Sequence, residues 1–207
     1  MATVSTSLDQ IVVLRGVRWA TYESLLAHLV DSSAPRLTFD RGDLEIRSLS
    51  PEHERLNRLL ASFVEEASLA LGIDVESFGS TTFKRDDLER GFEPDSCFYI
   101  ANADRVVGRR KIDLRKDPPP DLVIEIDITS ASLRKFPIYA QVGVPEIWRY
   151  DGVTLAMFKL VGDEYIEIEQ SVSVPALNGR ELLEFLEKSR DTPRRALIRA
   201  FREWLRR

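Results

Sequence analysis

Acidic residues occur in this chain beside or inside apolar segments, where carboxylates are uncommon. Asp95 follows Pro94 and opens a predicted strand, and Glu125 follows the apolar run 122–124. Burying a carboxylate without a partner costs several kcal/mol, so we expect Glu125 to be paired with a cation or a metal ion. Asp127 falls on the same strand face as Glu125. We interpret Asp127 either as a third metal ligand or as the partner of a lysine.

A candidate lysine follows close behind this strand. Lys135 lies ten residues after Glu125, at the predicted start of the next helix. An ammonium group opposes the helix dipole at this end, so the position suits a lysine that has carboxylates nearby. Tyr139 is one turn further along the same helix face. The alternative interpretation is a solvated lysine and a core tyrosine.

This set of residue types favours oxygen-ligand metal chemistry. Two carboxylates can hold Mg²⁺ while water completes the octahedron, and the ion then activates water and neutralises a phosphodiester. A nearby lysine can steady the transition state. With two histidines and one cysteine, a zinc site built from His and Cys would be incomplete. We therefore predict that Asp95 and Glu125 bind Mg²⁺, with Mn²⁺ as a substitute, and that Lys135 positions the attacking water.

Local signals predict the helices that position these residues. Ser50 and Pro51 form a strong helix start, and apolar residues with helical spacing continue that helix to a glycine cap at Gly72. Thr21 is predicted to cap an earlier helix that begins at Tyr22.

The strands follow from apolar runs and turn residues. Segments 37–39 and 44–49 flank a turn and predict a hairpin. Segment 121–128 is apolar at its centre, as in a strand buried on both faces. The next helix should begin within 133–135 and end at Gly143. Strands and helices therefore mix, which predicts an α/β or α+β domain with a mixed sheet.

These residues resemble a known family. The matching segments are Pro94-Asp95, 119–127, Lys135, Tyr139-Ala140 and 143–148. They are similar to the Uma-two family, described as "putative restriction endonucleases", within the PD-(D/E)XK nuclease superfamily. The resemblance implies an α/β, restriction-endonuclease-like fold with a central mixed β-sheet flanked by α-helices. It also implies a single nuclease-like domain over residues 1–207, which hydrolyses DNA phosphodiester bonds with Mg²⁺.

The resemblance also implies roles for individual residues. Asp95 and Glu125 match the two family carboxylates. The usual lysine position is Asp127 here, and the following helix would supply Lys135 instead, with Tyr139 in support. The early helix of the family adds a polar residue to the site. Helical spacing places His53 on the inward side, so we prefer it to Glu54; the alternative is that His53 only caps the first turn.

The distribution of charge along the chain indicates whether the protein could bind nucleic acid. The net charge is −5 and the pI about 5.3, which argues against a nonspecific DNA coat protein. Basic residues nevertheless cluster in segments 84–85 and 105–111 and in the predicted C-terminal helix within 190–207. Such clusters beside an acidic site would suit a nucleic-acid track, although a solvated surface is the alternative.

Other functional classes stay open or are disfavoured. No apolar run approaches the roughly 20 residues that span a membrane, and a single cysteine allows no internal disulfide, so we expect a cytoplasmic protein.

The runner-up function is an inactive nucleic-acid-binding or protein-interaction module on the same fold. A hydrolase of RNA or of another phosphodiester would share the site. Double-strand cutting by so small a nuclease would favour a two-fold homodimer.

Overall fold

The computed structural model describes residues 9–29, 35–128 and 135–207 of the 207-residue chain. Its elements are a mixture of strands and helices. In chain order they are β1 (Gln10–Leu14), α1 (Trp19–His28), β2 (Arg36–Asp40), β3 (Asp43–Ser48), α2 (Pro51–Leu71), β4 (Glu76–Ser77), β5 (Phe83–Arg85), β6 (Arg90–Phe92), β7 (Ser96–Tyr99), α3 (Ala103–Val106), β8 (Leu122–Ile126), α4 (Phe136–Val142), β9 (Glu146–Tyr150), β10 (Leu155–Val161), β11 (Glu164–Ile168), α5 (Gly179–Lys188) and α6 (Arg194–Trp204).

A six-stranded mixed sheet forms the centre of the molecule. Its order is β11-β10-β9-β8-β7-β4, with β8 and β9 parallel and the other neighbours antiparallel. Every residue of β8 is buried, as its apolar run predicts. The central mixed sheet flanked by helices is therefore confirmed.

A second sheet of five antiparallel strands, in the order β1-β3-β2-β6-β5, accompanies the central one. It contains the predicted hairpin, as β2 and β3. The sequence did not predict it as a separate sheet, because β5 and β6 join the hairpin from at least 35 residues further along the chain.

Helices and the second sheet cover the two faces of the central sheet. On one face, α2, α5 and α6 pack through an apolar cluster in which Phe63 contacts Phe185 and Phe201. On the other face, α4 and strands β5 and β6 pack against Val123 and Ile147. Glu125 lies on this second face as well, because it is two residues after Val123 and side chains alternate along a strand.

Several predicted boundaries are confirmed and one is wrong. Helix α2 has Ser50 at its N-cap and Gly72 at its C-cap in the left-handed conformation, as predicted. Helix α1 begins at Trp19 rather than Tyr22, so Thr21 does not cap it. The reason is tertiary: the Trp19 ring packs on Tyr22 and on Phe39 of the second sheet, which draws this turn into the helix.

The C-terminal helix lies within the predicted range 190–207 and begins directly after Pro193. In the described ranges no helix is both long enough and apolar enough to cross a membrane.

Candidate active site

The paired strands β7 and β8 bring the two predicted metal ligands together. Ser96 pairs with Ile124 in antiparallel register, and continuing that register places Asp95 opposite Glu125. Residues opposite each other on paired strands share a face. The backbone N–H of Ile126 donates to Asp95 Oδ2 at 2.7 Å, which fixes the aspartate against β8. Asp95 and Glu125 are both at least 95% buried.

Asp95 has Arg36 and His53 as close neighbours. Arg36 donates from Nη1 to Asp95 Oδ1, and His53 Nε2 lies 3.0 Å from the same oxygen, off the direction of a well-aligned hydrogen bond. Burial alone would raise the pKa of Asp95, but His53, Lys135 and Arg36 outweigh burial and hold that pKa well below its usual value. Asp95 is therefore ionised and held in a fixed position.

Glu125 lies in a different environment. Lys135 Nζ donates to Glu125 Oε2 at 2.8 Å, and the Tyr139 hydroxyl donates to Oε1. Burial and the charge of Asp95 raise the pKa of Glu125, although Lys135 and Tyr139 oppose the shift. Lys135 is itself buried, yet attraction to Glu125 and Asp95 outweighs the desolvation and raises the pKa of its ammonium group. The expected cation partner of Glu125 is thus Lys135.

Helix α4 supplies both partners of Glu125. Lys135 is the N-cap residue of α4, immediately before the helix begins at Phe136, and Tyr139 lies one turn later. Burial raises the pKa of Tyr139 well above its usual value, and the neighbouring Glu125 charge adds to the effect. The phenol therefore remains protonated and keeps donating to the carboxylate.

Helix α2 brings His53 into the site, as predicted, and the histidine side chain is fully buried. Its backbone N–H donates to the capping Ser50 hydroxyl at 3.2 Å. Its ring Nδ1 lies 2.8 Å from Asp9 Oδ2. Glu54, the less favoured candidate, is half exposed and lies 3.7 Å from Arg36. His53 therefore contacts Asp95 directly, whereas Glu54 lies at the rim.

Sequence reasoning missed three residues of this cluster, which are Asp9, Arg36 and Arg47. Arg47 donates from Nη2 to Asp9 Oδ2 and to the Ile126 carbonyl, each at 2.8 Å. Asp9 also accepts the Ser50 backbone N–H at 2.7 Å. Alternation along β3 predicts an exposed Arg47, because it places Arg47 with Asp43 and Glu45 on the face away from Leu44 and Ile46. Asp9 carries no local signal either.

Asp127 does not contact Lys135 in the way that the sequence suggested. Its Oδ2 accepts from Arg149 Nε at 3.2 Å. Arg149 lies opposite Glu125 in the parallel strand β9, and Asp127, two residues after Glu125, is on the same face of the sheet. Its Oδ1 is buried and accepts no hydrogen bond from the described residues. The lysine-partner hypothesis is therefore replaced by an arginine pair, while a metal-ligand role for Asp127 stays a prediction.

Several members of the basic clusters are paired with acids. Lys84 contacts Glu23 at 2.7 Å, and Arg202 holds Glu66 through two hydrogen bonds at 2.6 and 2.7 Å. These residues contribute to the protein's own surface contacts. A continuous nucleic-acid track through the basic segments stays a prediction.

Carboxylate oxygens, which Asp95 and Glu125 both offer, are the ligand type that a hard divalent cation prefers. Within residues 9–29, 35–128 and 135–207, no group of three or more His, Cys, Asp and Glu side chains is arranged to hold a metal ion. If a divalent cation binds, Asp95 and Glu125 are the residues that would hold it, and water would supply the remaining ligands. Magnesium binds in this way, because it keeps several waters and takes one or two carboxylates.

Comparison with solved structures finds a similar fold. One match is described as the "Crystal structure of a putative nuclease belonging to DUF820 from Anabaena variabilis ATCC 29413", with a TM-score of 0.51. It is 16% identical in sequence and covers 77% of this chain and 97% of that chain. At this identity the match supports the fold alone.

Comparison with curated proteins finds no match. The family model Uma2, described as "Putative restriction endonuclease", matches residues 19–192. That range includes β7, β8 and α4, which carry the acidic pair, the lysine and the tyrosine. The chain belongs to the Uma2 family.

Proposed function

We propose that this protein is a Mg²⁺-dependent endonuclease that hydrolyses DNA phosphodiester bonds. One observation carries the proposal: a buried aspartate directly before β7 lies opposite a buried glutamate in the antiparallel neighbour β8, and the ammonium group of Lys135 is 2.8 Å from the glutamate. Family membership supports a nuclease in general. The choice of Mg²⁺ and of DNA comes from the hard oxygen ligands and the resemblance described above.

The chemistry divides among these residues. Asp95 and Glu125 would hold Mg²⁺, which makes a water more acidic and offsets the charge that develops on a phosphodiester. Lys135 would hold the attacking water and stabilise the developing negative charge, because its raised pKa keeps it protonated. Tyr139 fixes Glu125, and His53 lies against Asp95 and keeps its carboxylate in place.

Plasmid nicking tests this proposal. Supercoiled plasmid should be converted to open circles in Mg²⁺ or Mn²⁺ and not in EDTA. Asp95→Asn and Glu125→Gln should each slow nicking at least about a hundredfold, because each removes a charged ligand that stabilises the transition state. Glu184→Gln is the matched control, since that side chain is 55% exposed on α5 and pairs with Lys188.

The inactive binding module is the second candidate. Asp127 stands at the usual lysine position, and Arg36 and Lys135 already neutralise the two carboxylates, which favours this alternative. Metal-independent binding of DNA or of a protein, without turnover of plasmid or of a matched RNA, would support it. Cleavage of the RNA alone would instead indicate a ribonuclease that uses the same site.

A further inference from the structure

Arg36 lies at the outer side of the buried Asp95 carboxylate. Its Nη1 donates to Asp95 Oδ1 and, at 3.3 Å, to the Pro94 carbonyl. The Arg36 side chain is 11% exposed, whereas Asp95 is 1% and Glu54 is 49% exposed. The guanidinium therefore lies between the buried Asp95 carboxylate and the half-exposed Glu54.

One edge of this guanidinium has no close acceptor in the part of the chain that the structure describes. Nε is buried and has no partner among the described residues, and Nη2 is 3.7 Å from Glu54, which exceeds hydrogen-bond distance. A buried donor without an acceptor costs about 1–3 kcal/mol. Nε and Nη2 form the lateral fork of arginine, which matches two oxygens of a phosphate group.

Glu54 is the group that a ligand would displace from this edge. Among the described residues, its carboxylate makes long contacts, 3.7 Å to Arg36 and 3.7 Å to the exposed Arg58. Exposed ion pairs of this kind contribute about 0–1 kcal/mol. A phosphodiester could therefore take the place of Glu54 at little cost, while Asp95 keeps the guanidinium in position.

We propose that Arg36 binds a backbone phosphate of DNA through its Nε and Nη2 edge, with Asp95 as the residue that orients it. This inference rests on the proposed function, since it names the group that places a phosphodiester beside the acidic pair. Glu54 then acts as a weak internal competitor for the same edge.

The test is the affinity and salt dependence of DNA binding. A short fluorescein-labelled duplex is titrated in EDTA, where the proposed cleavage does not occur, and anisotropy is recorded over a series of salt concentrations. Arg36→Met should weaken binding about tenfold and reduce the salt slope by about 0.9, the value for one phosphate contact. Arg15→Met should leave both unchanged, because that arginine, directly after β1, is 82% exposed and pairs with Asp43.

A second variant keeps the test decisive if Arg36→Met fails to fold. Glu54→Gln removes the competing charge from an exposed helix position and should tighten binding several-fold. Glu52→Gln removes the same charge from an exposed position in the same helix turn, and it should not tighten binding to this extent if Glu54 competes for Arg36. If wild type binds the duplex but Arg36→Met and Glu54→Gln both keep its affinity and slope, the inference is wrong and the proposed function stands. If wild type neither binds nor cuts DNA, both are wrong.

Discussion

At the scale of single residues, the two carboxylates of the site differ in charge environment. Asp95 accepts from Arg36 and a backbone N–H and lies beside His53, whereas Glu125 relies on Lys135 and Tyr139. The pKa of Asp95 is lowered and that of Glu125 is raised. Two neighbouring carboxylates with oppositely shifted pKa values are typical of functional sites.

The lowered pKa of Asp95 predicts an acid-sensitive contribution to stability. A carboxylate whose folded pKa lies below its unfolded value, about 3.9, stabilises the fold above that pH and loses this contribution as the pH falls. The melting temperature of wild type should therefore fall between about pH 5 and pH 2. Asp95→Asn should show a shallower acid decline in thermal unfolding, and Asp163→Asn, in an exposed turn, should follow wild type.

At the scale of elements, helix α2 determines how His53 enters the site. Ser50 caps the helix through the His53 backbone N–H, and its own N–H donates to Asp9 Oδ1. The cap therefore fixes the first turn of α2. The His53 ring belongs to this turn and lies close to Asp9 and Asp95.

Loss of this cap should destabilise the protein modestly. Ser50→Ala removes the side-chain oxygen and should lower the free energy of unfolding by about 1 kcal/mol, as measured in urea. Ser50→Thr keeps the oxygen and should stay within about 0.5 kcal/mol of wild type. Equal losses in the two variants would show that the hydroxyl does not act as a cap.

Elements with strong local signals could be predicted from the sequence. Ser50, Pro51 and Gly72 predicted the ends of α2, and the apolar run 122–124 predicted the buried strand β8. The proline-aspartate pair and the glutamate of β8 also indicated the two carboxylates of the site.

The remaining members of the cluster could not be found in this way. Arg36 is 59 residues from Asp95, and Asp9 is 44 residues from His53. Contacts of this kind depend on how the second sheet docks, and no local pattern encodes that docking. The start of α1 was missed for the same reason, since Trp19 joins the helix through its packing on Phe39.

At the scale of the whole molecule, Arg90 joins the second sheet to helix α4. Its Nε donates to Asp40 at 2.9 Å, and its Nη1 donates to the Pro137 carbonyl at 3.0 Å and to the Gln141 side chain. Helix α4 carries Tyr139, so this buried guanidinium links the second sheet to the site.

Removal of Arg90 should be costly. Arg90→Met leaves Asp40 and the Pro137 carbonyl without this donor and should lower the free energy of unfolding by about 3 kcal/mol. Arg41→Met is the matched control, because Arg41 contacts the same Asp40 but is 67% exposed, and it should change stability by less than about 0.5 kcal/mol. Urea unfolding of both variants checks this; similar losses would show that Arg90 adds little beyond a surface pair.

The central claim is that Asp95 and Glu125 together hold a divalent cation. Binding of Mn²⁺, measured as loss of the free-ion signal in electron paramagnetic resonance, tests it most directly. Wild type and Glu184→Gln should bind Mn²⁺, and Asp95→Asn and Glu125→Gln, confirmed as folded by thermal unfolding, should each bind at least about tenfold more weakly. Absence of binding in wild type, or unchanged binding in both site variants, would contradict the account.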